Sequence, residues 1–426
     1  MSLKYLLVGS GGREHAIAAC LAESDETEHV YVAPGNGGTQ GGHPKVSNVD
    51  IQSHELSKLA QFAIETKIQV TMVGPEIPLA AGIVDLFEAQ GLKCFGPTRA
   101  AARLESSKAF AKAFMDRWTI PTAKGASFTD YQSALDYLRD FGSLPVLKAS
   151  GLAAGKGVVL PDTLEAAEAT LKQMMLDGRF GDSGDCVVIE ERLVGYEISL
   201  LAVCDGASLV TLPAARDHKR LLNGDKGPNT GGMGAVAPVL NPTCDLHHEL
   251  TKILQTVLDG MAAEDMPYTG ILYGGFMITD AGPKVLEFNC RFGDPETQAV
   301  LPLLPPNALN QYVVAALNKT LCDCKPIDPT GHSATIVMAS GGYPNQYKKG
   351  LPISGLKAVD AMTHVHVFHA GTILKEGLHH TSGGRVLAVT GLGTSPDDAL
   401  VRATIAAGHI QFDGQHYRTD IGLTLT

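Results

Sequence analysis

The sequence predicts an α/β protein of several domains: a parallel α/β unit first, then a larger region of antiparallel strands, helices and glycine-rich loops, then a small mixed α/β unit. Three observations predict it. Apolar runs of strand length alternate with helical stretches over the first hundred residues, which is the pattern of a parallel sheet. After them, short β runs gather around glycine loops. And 426 residues are too many for one ordinary core, so two to four domains are expected.

The elements follow in order. "KYLLVGSGGREHAIAACLAE" is a buried strand, a glycine turn and a helix. "HVYVAPGNGG" is a second strand, "IQVTMVGPEIPL" a third and "GLKCFGPT" a fourth, with helices "HELSKLAQFAIETK" and "LAAGIVDLFEAQ" between them. Functional loops of such a sheet lie at the strand C-termini, where glycines and prolines gather here. Residues 1–103 form this first domain. A helix is expected over 100–118, then a linker "IPTAKGASF". Residues 122–194 read as antiparallel strands with two helices: helix 130–140, strand "LPVLKAS", a glycine loop, strand "GVVLPD", helix "LEAAEATLKQMM" and strand "CVVIEERL". Residues 195–300 read as mostly strand. A last domain spans 331–426, leaving 104–330 as the central one.

Composition narrows the function. Against 34 basic residues stand 45 acidic ones, a formal charge of −11. That sign argues against a nucleic-acid or anionic-membrane surface, although an anionic small molecule needs only a local basic pocket. Eight cysteines without C-x-x-C spacing fit free thiols in a reducing compartment. The opening apolar run is too short for a signal peptide or membrane helix. A cytoplasmic protein is expected, with no nucleic-acid or membrane partner.

Four loops and one strand carry chemistry. "GSGGREHA", Gly9 to Ala16, invites a dinucleotide reading, but Glu14 stands where the third glycine belongs, and "APGNGG" brings no acid for a ribose. An oxidoreductase is disfavoured. Either a single phosphate site at a helix N-terminus or a plain strand–helix turn remains. "KASGLAAGKGVV" is no Walker loop: Gly151 and Gly155 enclose three residues rather than four, and Gly157 follows Lys156 where a hydroxyl belongs. Its backbone, with Lys148 and Lys156, still suits a triphosphate; the alternative is an exposed hairpin. "VVIEERLVGYEISL" brings Glu190, Glu191, Leu193 and Glu197 to a strand end. "AARDHKRLLNGDKGPNTGGMGAVAPV" is dense in charge and glycine, as a mobile binding loop is.

The strand is "KVLEFNCRFGDPETQ", 284–298. Alternation places Leu286, Phe288 and Cys290 on one face, with Glu287, Asn289 and then Arg291 on the other. Glu287 and Asn289 are hard oxygen ligands, and magnesium takes few of these when phosphates and water supply the rest. Arg291 suits a carboxylate or a developing phosphoryl charge. The alternative is a buried polar ladder.

Taken in order, a strand lysine, a glycine–lysine loop, a Glu-Glu-x-Leu hinge and a Glu-x-Asn strand resemble the ATP-grasp enzymes. Within them, "GSGGREHA", "APGN", "FGPT", "ESSKAFAK", "GLAAGKGV", "DHKR", "GPNTGGMGA", "EFN-RFGDPETQ", "FHAGT" and "GGRVLAV" resemble the phosphoribosylamine–glycine ligase family over essentially the whole chain. The length resembles its single-activity form. The resemblance implies an N-terminal pre-ATP-grasp domain, a central ATP-grasp domain with a mobile lid over 122–194, and a small C-terminal domain. It implies that ATP, glycine and 5-phosphoribosylamine become glycinamide ribonucleotide, ADP and phosphate through a glycyl phosphate, the second step of de novo purine synthesis.

Roles follow from the same resemblance. Lys108 and Lys148 meet ATP phosphates, under a loop of Gly151, Ala154, Gly155, Lys156 and Gly157. Glu190, Leu193 and Glu197 hold adenine and ribose. Glu287 and Asn289 bind magnesium, with manganese as a substitute, and Arg291 faces the reacting glycine. Asp217, Lys219, Arg220, Asn229, Gly231 and Gly232 meet the phosphoribosylamine, whose phosphate lies against Gly9, Gly11, Gly12, Asn36 and Gly37. A transient contact with the enzyme supplying phosphoribosylamine is the one protein partnership left open. Another ATP-grasp carboxylate–amine or carboxylating ligase is the nearest rival. The chain departs from the family at Arg216, Tyr196 and "YGGFM", and "ILYGGFMI" carries no second metal acid. His364, His366 and His369 look like part of a zinc set but lack a second pair. For His218 a structural hydrogen bond weighs equally with a functional one.

Overall fold

The computed structural model describes residues 2–153, 157–178, 181–240 and 244–423. Its first sheet has five parallel strands in the order Val46–Asn48, Thr27–Pro34, Leu3–Gly9, Val70–Val73, Cys94–Phe95. The central strand is apolar on both faces because helices cover both: Tyr5, Leu6, Leu7 and Val8 are all buried.

Two antiparallel sheets follow. One runs Gly125–Phe128, Val187–Glu191, Pro145–Ala149, Val158–Val159. Helices Tyr131–Asp140 and Leu164–Met175 cover it, with Leu135, Leu138 and Leu171 packed on Leu147 and Ile189. Both helices start where their caps predict. Asp130 accepts from the Ser133 N–H at 2.8 Å and Thr163 from the Ala166 N–H at 3.1 Å. The other sheet runs Leu209–Thr211, Tyr196–Asp205, Thr269–Thr279, Gly282–Asn289. The cleft lies between these two sheets. A third, antiparallel sheet runs Arg216–Asp217, Gly234–Ala237, His332–Ala339, Arg385–Gly393, Val365–His369, backed by helix Pro396–His409. Its first two strands flank the charged, glycine-rich stretch, so that stretch is anchored on the C-terminal sheet.

The structure corrects four expectations. The helix expected over 100–118 is two helices, Arg103–Ser106 and Lys108–Arg117. Ser107 breaks it by turning extended (φ −140°, ψ 102°) and capping the second helix, its hydroxyl accepting from the Phe110 N–H at 3.2 Å. "LAAGIVDLFEAQ" is likewise split at Gly82, whose φ of +87° leaves the helical region. Residues 195–300 are not mostly strand: helix Asp245–Ala263 lies among them, burying Leu250, Leu254, Val257, Leu258 and Met261 at helical spacing. Finally, strand Gly282–Asn289 does not alternate throughout. Gly275 pairs with Glu287 and Phe276 with Val285, so Leu286 is an extra, unpaired residue.

Candidate active site

The bulge at Leu286 decides what the strand presents. Val285, Phe288 and Cys290 enter the core beneath helix Asp245–Ala263. Leu286, Glu287 and Asn289 line the cleft. Glu287 and Asn289 therefore share the face the alternation predicted. Leu286 does not join Phe288 as expected, because one extra residue reverses the pleat before it.

Two adjoining clefts of about 1150 and 1580 Å³ share Lys148, Glu190, Asp217, Lys219, Leu286 and Glu287. The first also holds Lys108, Gly157, Asn289, Arg291 and Gly231; the second holds Leu193, Tyr196, Glu197, Arg220 and Asn229.

Lys108 is the first residue of its helix, aimed at the cleft by the break at Ser107. Its N–H donates to the Ser150 carbonyl at 2.9 Å, and the Ser150 hydroxyl accepts the next N–H at 3.0 Å. Burial holds the Lys108 ammonium below its ordinary value, against the pull of Glu287. Lys148 reaches across the cleft, its Nζ 2.6 Å from Glu190 and 3.0 Å from the Leu286 carbonyl. Glu190 is buried between Lys148 and Lys112, the latter at 3.4 Å. The carboxylate of Glu190 is thus paired with lysines. Burial pushes the Glu287 carboxyl up, but Lys219, Lys108, Lys148 and Arg291 outweigh it and leave it below the ordinary value. Glu287 is an ionised acid inside a ring of cations.

Arg291 is held from two directions. Glu105 meets its Nη2 at 2.8 Å and also accepts the Cys290 N–H at 2.7 Å; Glu76, from the first domain, lies 3.5 Å from its Nε. The Nε–H has no hydrogen-bond partner within the protein. Arg291 lines the first cleft, and a buried guanidinium there suits an anion.

Lys219 pairs with Glu197 at 2.7 Å. Asp217 stands beside them, its carboxyl pushed up to about 8 by burial, with Lys219 opposing and Glu296, Glu197 and Glu287 reinforcing. Gly231 is fixed by Tyr343, whose hydroxyl accepts its N–H at 3.0 Å. Gly232, at φ +107°, lies so close that a Cβ would collide with Pro295. Arg220 donates to the Gly227 carbonyl at 2.8 Å. Gly151 donates its N–H to the Ser183 carbonyl at 3.2 Å. Ala154, Gly155 and Lys156 lie outside the described residues.

The first-domain turn stands apart from the two clefts. Gly9, Gly11, Gly12, Asn36 and Gly37 line neither cleft. The Gly11 N–H, expected free for a phosphate, is taken by the Glu14 carboxylate at 2.5 Å. Glu14, in the place of the missing glycine, thus caps the helix start alone, since Gly11 has no side chain to return the bond. Asn36 is a tie between domains: its amide donates to the Ser10 carbonyl at 2.9 Å and the His369 carbonyl at 2.7 Å, and its oxygen accepts from Gly38 at 2.8 Å. Gly37 donates to the Thr372 carbonyl at 3.0 Å.

His369 sits at that same junction, bonded to Thr372 at 3.0 Å, while His366 stacks on Phe368. Among the described residues, no three His, Cys, Asp or Glu side chains are grouped to hold a metal.

Several lining residues escaped the sequence reading. Glu296 is buried, accepting from Ser199 at 3.0 Å and Tyr273 at 2.9 Å. Asp294 pairs with Arg385 at 2.9 Å, and Glu105 and Glu76 hold Arg291. Glu76 does stand inside the quoted "IQVTMVGPEIPL", Glu105 inside "ESSKAFAK", and Asp294 and Glu296 inside "GDPETQ". Their spacing gave no sign of convergence, because the partners lie far away in the chain.

Known proteins match this architecture throughout. Residues 3–105 match the phosphoribosylglycinamide synthetase N domain, 106–297 its ATP-grasp (A) domain and 333–424 its C domain. The phosphoribosylamine–glycine ligase of Ralstonia nicotianae is 50% identical over 427 residues, covering 99% of both chains. The trifunctional purine biosynthetic protein adenosine-3 of Gallus gallus is 49% identical over 426 residues, covering 99% of this chain and 42% of that one. The chain thus spans about two fifths of the trifunctional relatives and nearly all of the bacterial one. The crystal structure of phosphoribosylamine–glycine ligase from Thermotoga maritima superposes with a TM-score of 0.86 at 32% identity, covering 99% of this chain and 100% of that one.

Proposed function

Since the chain belongs to the phosphoribosylglycinamide synthetase family, we propose that it joins glycine to 5-phosphoribosylamine at the expense of ATP, giving glycinamide ribonucleotide, ADP and phosphate. The observation that carries the reading is the first cleft, where Lys108, Lys148, Glu287, Asn289 and Arg291 converge, with Lys148 and Glu287 shared with the second. Glycine's carboxylate oxygen attacks the γ-phosphorus of ATP, and the bond to ADP breaks. The amine of phosphoribosylamine then attacks the carbonyl carbon of glycyl phosphate, loses a proton, and inorganic phosphate leaves.

The protein's task in this is positioning and charge neutralisation. Lys108 and Lys148 face the phosphates. Leu193 and Glu197 border the adenine and ribose end, with Glu190 contributing from its strand. Arg291, pinned by Glu105 and Glu76, faces glycine's carboxylate. Asp217, Lys219, Gly231 and Gly232 border the acceptor; Arg220 and Asn229, expected there from the resemblance, share the second cleft with Leu193 and Glu197 and are read with its nucleotide end. The turn at Gly9–Gly12, read with Asn36 and Gly37 as the seat of the acceptor's phosphate, borders Asp294 and Gln298. The lid unit, residues 122–194, closes over the acyl phosphate and keeps water from it.

Magnesium, or manganese in its place, fits the donor set. Glu287 is ionised and Asn289 is a hard oxygen beside it. With no third acid, histidine or cysteine grouped with them among the described residues, the remaining ligands are phosphate and water oxygens, as magnesium prefers. When bound, the ion neutralises charge on the transferred phosphoryl group. The substrates are small molecules of the cytoplasm, and the lability of phosphoribosylamine favours a transient contact with its producer. Among the described residues, no helix is long and apolar enough to cross a membrane.

The test is ADP release with each substrate omitted in turn. Full release requires glycine and phosphoribosylamine together. Release that continues when bicarbonate replaces glycine would move the chain to the carboxylating ligases.

A further inference from the structure

The hairpin of strands Arg220–Leu222 and Lys226–Asn229 pairs only with itself. Two strands alone are marginal in water. Yet this hairpin supplies Arg220, Asp225 and Asn229 to the wall of the second cleft. Something else must hold it there.

Residues 416–422 do so, through contacts at Arg220, Leu221, Asn223, Gly224 and Asp225, the first strand and the turn. The side chain of Arg418 is entirely buried. Its Nη1 meets Asp225 at 2.7 Å and the Arg220 carbonyl at 3.0 Å, while Nε and Nη2 grip both oxygens of Asp420 at 2.8 and 2.9 Å. Asp420 in turn accepts the Gly224 N–H at 2.7 Å. Asn223 and Thr419 exchange bonds at 2.8 and 3.2 Å, and the His416 ring meets the Leu221 carbonyl at 2.9 Å. Beyond the hairpin, Gly422 donates its N–H to Nε2 of His218, another residue lining that cleft.

We propose that the segment 416–422 is a strap that positions the hairpin against bound nucleotide, with Arg418 as its positioning residue. This rests on the reading of the second cleft as the nucleotide end. Arg418 touches no substrate. It acts through the fork of its guanidinium, which a lysine cannot reproduce. The strap sets where Arg220 and Asn229 stand, and so how tightly the cleft closes on ATP.

Two variants separate this from simpler effects. Arg418→Lys keeps the charge and loses the fork. Asp225→Asn loosens the hairpin end of the tie at a half-exposed site, and asparagine tolerates the left-handed backbone there, φ +53°. Removing an acid near an anionic ligand would by itself tighten ATP binding, whereas a loosened strap weakens it. Calorimetric titration with ATP and magnesium, beside steady-state kinetics, reads the difference. The expected result is ATP binding weaker by about tenfold, or 1.4 kcal/mol, in both variants. KM for ATP rises in step, KM for glycine is unchanged, and the melting temperature of Asp225→Asn stays near that of the parent. Unchanged ATP affinity in folded Asp225→Asn, or tighter binding there, overturns the strap. Failure of the unaltered protein to bind ATP overturns instead the nucleotide reading on which it rests.

Discussion

Glu287 owes its place to its neighbour. Leu286 is the bulged residue, and the reversal it causes lets Val285 join Phe288 in the core while Glu287 and Asn289 face the cleft. Counting side chains by twos found the acid and the amide but misplaced the leucine, because a bulge is a property of two paired strands and only one was being counted. Arg291 was legible as a cation beside Glu287 and Asn289; its holders were not, since Glu76 and Glu105 come from elements about two hundred residues earlier. Replacing Glu287 by alanine removes the proposed metal oxygen and one acid from among four cations. Steady-state assays are expected to show glycine-dependent ADP release lowered by at least about 100-fold, with the melting temperature retained. Asp217 makes a second prediction at this scale. Its carboxyl rises from 3.8 unfolded to about 8 folded, so the folded state holds a proton that the unfolded chain has lost. That contribution is fully present below pH 4 and disappears as pH rises through 8. Asp217→Asn removes this slope. Melting curves are expected to show the variant gaining stability relative to the parent as pH rises from 4 to 8, while turnover falls.

Among elements, the informative one is the pair of short helices around Ser107. Helix propensity runs unbroken through "AAARLESSKAFAKAFMDRW", so a single helix was the natural reading. Tertiary contact decides otherwise. Ser150 accepts the Lys108 and Ala109 N–H groups, and Ser107 caps the second helix instead of continuing the first. The break sets Lys108 at a helix start facing the cleft. Ser107→Ala is expected to cost about 1 kcal/mol in urea unfolding and to raise KM for ATP severalfold, since the capped turn carries the lysine. Helix Asp245–Ala263 was missed for a different reason. It sits among strands whose glycine-rich loops drew the reading toward β, although Leu250, Leu254, Val257, Leu258 and Met261 keep helical spacing. Helices Tyr131–Asp140 and Leu164–Met175 stand where the expected helix 130–140 and "LEAAEATLKQMM" placed them.

At the scale of the whole molecule, the parallel first sheet and the antiparallel sheets after it were visible from strand spacing alone. The joining of distant pieces was not. The C-terminal sheet takes Arg216–Asp217 and Gly234–Ala237 from far earlier in the chain, and Asn36 stitches the first domain to His369. Nothing local in the sequence announces such pairings. The same layout leaves the sheet Gly125–Phe128 to Val158–Val159 joined to the opposing sheet across the cleft by Lys148 and its bond to the Leu286 carbonyl. Hydrogen exchange over residues 145–191 is expected to slow when ATP and magnesium are added, as the lid closes on its ligand. The most direct test of the central claim tracks the oxygen. If a phosphoryl group passes to glycine's carboxylate, turnover of glycine labelled with oxygen-18 in both carboxyl oxygens delivers one labelled oxygen to each phosphate released. Mass spectrometry that finds the label in phosphate at one atom per turnover is the predicted result; phosphate free of label, with product still forming, would contradict it.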